Sequence, residues 1–495
     1  MRRVFRFGPL ERRGVVGSLR VGQVLVTGIA CCLAVVVFRT APNGAGFVTA
    51  LGLVAGAAVI GFVPFRGRTA EEWAPVAASW LRLRARRGER WRSERPVEGA
   101  SATLDLPDAL TGCELLSVPV DGGHEVGVFK DPQLGAYTAV LAAKVHSFGL
   151  LAEAEQERRL ERWGRVLAGL ARNRTPVRRV QVLERTVPGD GDELQGHLFD
   201  AADLAVPADD PGRRSYEALL DTATQVTQDH EVFIALQVDQ RRAWAQAGRD
   251  ARSRKLDRDA QACGVLIREV QTFAARFDPA DVVVTGLLSP SQYASAIRLG
   301  FDPYGRRHGV TAADRAFGPI AADTTWSTYR ADGALHRTYW IAQWPRLEVR
   351  PTFLGALLLG AQAVRSVSIV LEPVAPHRAR AAVEAAITSD EADEQLRAER
   401  GFRTPARKRK QQEATRARES ELAEGHEEVR FAGYVTVSGR DAEDLDRACE
   451  EIEQAAQQAH LDLEPLWGEQ DTGFPQGALP VARGLRSATP IGRGS

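Results

Sequence analysis

The sequence predicts an α+β protein in which an N-terminal transmembrane helical hairpin precedes cytoplasmic ferredoxin-like α+β domains that carry a long charged helical insertion. Three observations predict this arrangement. Two long uncharged apolar runs lie near the N-terminus, strand-like and helix-like patterns alternate through the middle of the chain, and residues 389–425 are rich in Ala, Arg and Glu. Together they divide the 495 residues into a membrane part and a larger polar body.

The two apolar runs cover Val21 to Phe38 and Gly44 to Phe65, and neither contains a charged residue. Helices of these lengths span roughly 27 and 33 Å at about 1.5 Å per residue, enough for a hydrocarbon core of about 30 Å. The connection, 39–43, contains Pro42 and leaves room only for a tight antiparallel return. A pair of buried core helices is the alternative, because both runs are rich in Ala, Gly and Val. We interpret residues 1–68 as a membrane hairpin.

Small residues in the second run suggest how the two helices pack. Gly52, Gly56 and Gly61 lie among several alanines, and small side chains let membrane helices approach closely. We therefore expect these glycines to have a role in packing.

The arginines give the expected orientation, because positive segments next to a membrane helix tend to stay in the cytoplasm. Residues 1–95 hold sixteen Arg and five Glu, a net charge of +11, whereas the whole chain is neutral. Only Arg39 lies in the loop between the two runs. The sequence therefore predicts a multi-pass protein of the cell membrane with two helices, and with both the N-terminus and the C-terminal body in the cytoplasm. Lipid headgroups explain the basic segment better than nucleic acid, so no direct nucleic-acid binding is predicted.

Residues 69–110 are predicted to form a basic interfacial helix followed by a linker. Indole rings favour the membrane interface, and a basic amphipathic helix can lie on it. An ordinary surface helix is the rival interpretation. The predicted membrane-anchoring residues are two tryptophans and the arginines behind them: Trp73, Trp80, Arg82, Arg84, Arg86 and Arg87.

The rest of the chain is predicted to form two α+β domains. The first covers 111–300, and a connection at 301–335 leads to a second, ferredoxin-like domain made of 336–388 and 426–470. The insertion at 389–425 lies between these two parts, and 471–495 is predicted to be a tail. Two helix starts are marked by capping residues, Ser289 with Gln292 three positions later, and Asp441. Trp340 and Trp344 are expected on one face of a strand.

Motifs for common chemistries are absent from the sequence. It contains no Gly-Lys dipeptide and therefore no Walker A loop, no G-x-S-x-G elbow and no H-E-x-x-H pair, and its five cysteines have no metal-binding spacing. Asp229-His230-Glu231 is explained by strand alternation, Glu469-Gln470-Asp471 is predicted to be solvated beside a turn, and the basic run Arg403 to Lys410 is predicted to be a solvated helix face. The sequence thus predicts no catalytic residue, no cofactor and no metal, and we expect the protein not to be an enzyme.

One resemblance extends over much of the chain. The segments RTYWIAQWPRLEVRPTFLGALLL, beginning at Arg337, and RFAGYVTVSGRDAEDLDRACEEIEQ, beginning at Arg430, are similar to the N-terminal α+β domain of VirB-type conjugation ATPases. With two membrane helices in front, the chain resembles an actinobacterial two-transmembrane family of conjugation-like, type IV secretion-related loci. Where the motor family would continue from LPVARGL into its P-loop domain, this sequence stops at Ser495.

The resemblance implies an inner-membrane scaffold without ATPase activity. Its expected partners are the lipid bilayer, a separate secretion-type ATPase, a polytopic channel protein and further copies of itself within a complex. A membrane component of a type VII-like secretion core is the alternative, and a membrane-bound enzyme is a third possibility.

Overall fold

The computed structural model describes most of the chain between residues 21 and 484. The described residues are 21–62, 69–86, 88–93, 106–120, 122–144, 148–171, 175–189, 207, 210–226, 228–248, 257–277, 282–305, 317–345, 347, 349–399, 406–424 and 427–484. They divide into two compact units, one made of described residues within 90–382 and 418–484 and the other of described residues within 21–89 and 383–417.

The second unit begins with three helices, α1 (Val21–Thr40), α2 (Gly44–Phe62) and α3 (Ala70–Ala85). The first two contact each other, and Asn43 caps α2 by accepting a hydrogen bond from the amide of Gly46 at 2.8 Å. The predicted membrane spans therefore fall on two consecutive helices, although 63–65 lie outside the described residues. By length and mean hydropathy, none of the helices in the described part of the chain is capable of crossing a membrane.

The first unit is built on one antiparallel sheet, which has thirteen strands among the described residues. Its strands are β1 (Arg90–Arg92), β2 (Glu114–Pro119), β3 (Glu125–Asp131), β4 (Ala136–Lys144), β5 (Val177–Pro188), β6 (Gln228–Asp239), β7 (Val283–Leu287), β8 (Ala321–Thr324), β9 (Tyr329–Ala331), β10 (Ala334–Gln343), β11 (Arg365–Pro373), β12 (Val429–Gly439) and β13 (Asp462–Pro465).

Ten further helices lie between or after these strands in the described part of the chain. They are α4 (Glu153–Ala168), α5 (Pro211–Val226), α6 (Gln240–Ala247), α7 (Arg258–Ala274), α8 (Pro290–Phe301), α9 (Gly355–Leu359), α10 (Pro376–Glu399), α11 (Ala406–Ala423), α12 (Ala442–Gln458) and α13 (Gln470–Ala478). The mixed α+β class predicted from the sequence is confirmed. The strands of both predicted α+β domains belong to a single sheet.

The order of the strands reveals an internal repeat. In the first half, 114–301, four strands lie in the order β7-β4-β6-β5; in the second half, 321–478, the order is β13-β10-β12-β11. Helices follow corresponding strands along the chain in both halves. Helix α4 follows β4 as α9 follows β10, and α7 follows β6 as α12 follows β12. Helix α8 follows β7 as α13 follows β13. Strands β5 and β11 pair antiparallel at the centre, with Val182 opposite Ile369. The two halves are therefore related by an approximate two-fold axis at this pair.

The repeat extends to an irregularity in the strands. The register of β4 with β7 shifts between Ala142 and Ala143, and that of β10 with β13 shifts between Ile341 and Gln343. A bulge of this kind changes the face to which the following side chains point. This explains why Trp340 packs near Tyr434 and Leu466, whereas Trp344 joins the cluster around Leu335 and Tyr339 on the opposite face. The expectation of one shared face for the two tryptophans was wrong.

Apolar side chains fill both faces of the sheet, as expected for layers of helices packed on strands. On one face, α8, α13 and the segment after α13 share a core with Phe129, Val140 and Leu183. On the other, α6 and α7 cover the first half, while α9 and α12 cover the second. The middle of the sheet is thus enclosed by helices that belong to both halves.

Two segments predicted to be connections or tails are parts of this fold. Strand β1, at residues of the 69–110 segment that were expected to belong to the interfacial helix, pairs with β8, inside the predicted connection 301–335. Helix α13 and Leu479 to Ala482, inside the predicted tail 471–495, are buried in the core. The tail interpretation was wrong for these residues, because the apolar side chains of Phe474, Leu479 and Val481 are covered by the sheet.

Candidate functional site

The helical pair α1 and α2 exposes large apolar side chains over much of its surface. On α1 the exposed fractions are 53% for Ile29, 61% for Val35 and 50% for Phe38, and on α2 they are 58% for Phe47 and 67% for Val48. A contiguous apolar surface of this kind is rare on proteins surrounded by water and marks contact with a membrane or another protein. It is the most prominent candidate surface in the described part of the second unit.

The glycines of α2 differ in how far they are covered. Gly52 is exposed, Gly56 is half-buried and Gly61 is buried. A methyl group placed on any of the three would meet no atom within 4 Å. Ala30 and Ala57 are also buried, at 7% and 9% exposure. The expected packing role was therefore wrong for Gly52, whose surface is exposed, whereas Gly61 is covered.

Helix α3 carries the predicted interfacial residues. It starts at a capping box in which the Glu72 carboxylate accepts a hydrogen bond from the Thr69 amide at 2.9 Å. Trp73 and Trp80 are half-buried, seven residues apart, and Val76 between them is buried. Arg82, Arg84 and Arg86 are exposed, and Arg84 lies 3.7 Å from Glu89; Arg87 lies outside the described residues. The helix therefore combines an aromatic side with an exposed basic end.

The sequence Asp229-His230-Glu231 does not assemble one polar site. The His230 imidazole lies 2.7 Å from the Glu184 carboxylate and 3.2 Å from the Thr186 hydroxyl. The Glu231 carboxylate lies 3.6 Å from the guanidinium of Arg185, the residue opposite it on β5. Successive residues of a strand point to opposite faces, so His230 and Glu231 serve different faces. Both contacts join β6 to β5.

The prediction that Glu469-Gln470-Asp471 is solvated was wrong. Glu469 is 7% exposed and Gln470 is fully buried, where its side chain receives the Thr338 amide at 2.8 Å and donates to the Thr338 carbonyl at 3.2 Å. Burial raises the pKa of the Asp471 carboxyl. The chain turns at Gly468 into α13 and lies on the sheet, which removes these side chains from water.

Each half carries one tyrosine that joins the sheet to a covering helix through a carboxylate. The Tyr137 hydroxyl donates to Asp259 of α7 at 2.6 Å, and the Tyr339 hydroxyl donates to Glu453 of α12 at 2.9 Å. Burial raises the pKa of Asp259, but hydrogen bonds from Lys130 and Tyr137 more than compensate, so its pKa is lowered overall. The contacts are therefore made by an ionised carboxylate in the first half.

The cysteines near these contacts are protonated at neutral pH. Burial raises the pKa of the Cys263 thiol to about 12, and it also raises the pKa of Cys449. Since the thiolate is the reactive form, neither side chain is an activated nucleophile. In the described part of the chain, no group of three or more His, Cys, Asp or Glu side chains is placed to hold a metal ion.

Comparison with models of known protein families gives no match, and comparison with curated protein sequences gives none either.

Sequence reasoning missed the most extensive polar contacts of the first unit, those made by residues 478–483 on the central strands. The available signal was the apolar run Leu479 to Ala482, which is unusual in a free tail. Its partners, among them Gln181 and Gln237, could not be identified from sequence because they are some 250 to 300 residues away.

Proposed function

We propose that the protein is an integral membrane scaffold of a type IV secretion or conjugation-like apparatus. Its N-terminal helical pair inserts in the cell membrane, and its cytoplasmic α+β body docks a separate ATPase or the translocation channel without hydrolysing ATP itself. The observation that carries this proposal is the exposed, uncharged apolar surface of α1 and α2. The basic end of α3 and the arginines that flank the helical pair support cytoplasmic placement of the body.

Each half of the sheet supports the docking role. We propose that both are ferredoxin-like units, because a strand order of β7-β4-β6-β5 with two crossover helices is the β-α-β-β-α-β arrangement. The sequence resemblance to the non-motor domain of VirB-type ATPases includes β10, β11, β12, α12 and β13 of the second half. The predicted partners remain a secretion-type ATPase, a polytopic channel protein and further copies of this chain.

Membrane insertion is tested by extraction from native membranes. We expect the full chain to stay in the pellet at pH 11 and to enter detergent, and we expect a chain lacking residues 1–68 to be released by carbonate. The matched control is the full chain, including residues 1–68, in which Arg82, Arg84 and Arg86 are replaced by Ala. This variant should remain membrane-bound. Release of the intact chain at pH 11 would contradict insertion.

Docking is tested by purification in mild detergent from native membranes. We expect a secretion-type ATPase to copurify with the intact chain and to be lost when the body after residue 106 is deleted. Repeated recovery of the chain alone would count against the scaffold. Copurification of small W-x-G secreted proteins would instead favour the type VII-like alternative, and turnover of a substrate by the purified chain would favour a membrane-bound enzyme.

A further inference from the structure

The chain after α13 crosses the centre of the sheet without forming a strand. Residues Leu479–Arg483 have no regular secondary structure, and Leu479, Val481 and Ala482 are fully buried. Ala482 has a φ of 52°, in the left-handed region, so the backbone departs from the extended form of a sheet strand. Its buried backbone groups must therefore find partners other than a neighbouring strand.

Side chains supply those partners. The Gln181 amide donates to the Leu479 carbonyl at 2.9 Å and accepts from the Ala482 amide at 2.7 Å. The Tyr293 hydroxyl donates to the Pro480 carbonyl at 2.8 Å, and Gln237 donates to the Val481 carbonyl at 3.4 Å. The Gln181 side chain thus supplies one hydrogen-bond donor and one acceptor to the segment, as the backbone of a neighbouring strand would. The segment is thus recognised through its backbone, as a bound peptide is.

A charged pocket receives the end of the segment. The Arg483 guanidinium donates to the Asp131 carboxylate at 2.8 Å, and it also contacts the Ala109 carbonyl and, at 3.5 Å, the Cys113 sulfur. Asp131 is fully buried, and an uncompensated buried carboxylate is costly. The pocket therefore selects a cation at this position of the segment.

The partners Asp131, Gln181, Gln237 and Tyr293 belong to the first half, and Ala109 and Cys113 directly precede it, whereas the segment continues from the second half. The reciprocal contact is smaller: Tyr304, which follows α8 of the first half, donates to the Ser438 carbonyl of the second at 3.1 Å and lies against Arg440. The segment after α8 of the first half therefore contacts the second half, and the segment after α13 of the second half contacts the first half.

We propose that this face of the first half is a peptide-binding groove for a Leu-Pro-Val-Ala-Arg segment, and that Leu479–Arg483 occupies it as a clasp, a ligand whose binding is separable from the folding of either half. Gln181 reads the backbone of the ligand, and Asp131 selects its arginine. The proposal is independent of membrane attachment.

The first test uses the full chain in detergent and the thiol of Cys113 as a reporter. Burial raises the pKa of Cys113 to about 12, and the thiol lies beneath the clasp. With Arg483→Ala, we expect alkylation of Cys113, measured by mass spectrometry of its peptide, to accelerate at least tenfold while Cys263 and Cys449 keep their wild-type rates. Excess peptide LPVARG should restore the slow rate. Arg330→Ala, which removes an exposed arginine of β9, is the matched control.

Two outcomes would overturn the proposal. Equal acceleration at all three cysteines would show that the segment is an inseparable part of the core, and no acceleration at Cys113 would show that the arginine does not hold it.

The second test removes the clasp. A chain ending at Ala478 should bind a fluorescent LPVARG peptide, measured by anisotropy, and Asp131→Asn should weaken this binding at least tenfold. A peptide with Glu in place of Arg should not bind. A truncated chain that is folded by circular dichroism but does not bind the peptide would refute the groove, and one that cannot fold would refute separability.

Discussion

At the scale of single residues, the centre of the first unit is unusually polar. His336 is completely buried, with Nδ1 2.9 Å from the Ser438 hydroxyl and Nε2 2.9 Å from the Phe301 carbonyl. Arg185 is also buried and donates to the carbonyls of Ala296 and Ala478 at 2.8 and 2.9 Å. Each of these side chains joins elements distant in sequence, so its loss leaves buried backbone groups unpaired.

The histidine gives a pH-dependent prediction. Burial lowers the pKa of His336 to about 4, whereas an unfolded histidine titrates near 6.5. Between these values the unfolded chain binds more protons, so the free energy of unfolding should fall as the pH drops from about 6.5 to 4 and level off below. The shift corresponds to on the order of 3 kcal/mol.

The measurement compares wild type with His336→Gln by urea unfolding at several pH values. The variant, which lacks this buried titrating side chain, should be less stable at pH 7 and should lose less stability on acidification. Parallel pH profiles for the two proteins would contradict a neutral buried histidine.

At the scale of elements, local signals predicted helix starts well. Ser289 accepts the Gln292 amide at 3.3 Å and the Ser289 amide donates to Gln292 at 3.0 Å, which confirms the capping box expected there. Asp441 accepts the Asp444 amide at 2.9 Å, as expected. Both signals act within four residues and are therefore visible in sequence. The faces of Trp340 and Trp344 were not predictable, because a bulge set by pairing with β13 separates them.

The capping aspartates of α7 and α12 should contribute equally to their halves. Asp257 accepts the Ala260 amide at 2.7 Å, the counterpart of the Asp441 contact. Asp257→Ala and Asp441→Ala should each lower the free energy of unfolding by about 1 kcal/mol, because each leaves a helix N-terminal amide without its partner. Urea titration measures this, with Glu450→Ala, at an exposed position in the middle of α12, as control. A control as destabilised as the capping variants would refute the assignment to caps.

At the scale of the whole molecule, the sequence predicted two α+β domains, and the strands of both form one sheet. The alternation of apolar residues predicted individual strands such as β6 and β12, but it says nothing about which strands pair. The β5 and β11 pairing joins residues almost 190 positions apart, and its register depends on the folded halves. The internal repeat was not predicted from the sequence either; it is visible in the order of the strands and helices.

The shared sheet predicts one cooperative unfolding transition for both halves. Because β5 and β11 pair along seven residue positions, neither half can unfold without exposing the central strand of the other. Hydrogen exchange in increasing urea should give the same midpoint for peptides from β6 and β12. Two separate midpoints would show that the halves behave as independent domains.

The contact of Arg483 with Ala109 and Cys113 brings the segment that follows the second half beside the segment that precedes the first half. The end of one repeat therefore lies close to the beginning of the other. Such a body has no intrinsic first half: a circular permutant that joins 484 to 106 and opens the chain between 305 and 317 would retain the contacts described within the sheet. What distinguishes the first repeat from the second is then only that the first follows the N-terminal helices in the chain.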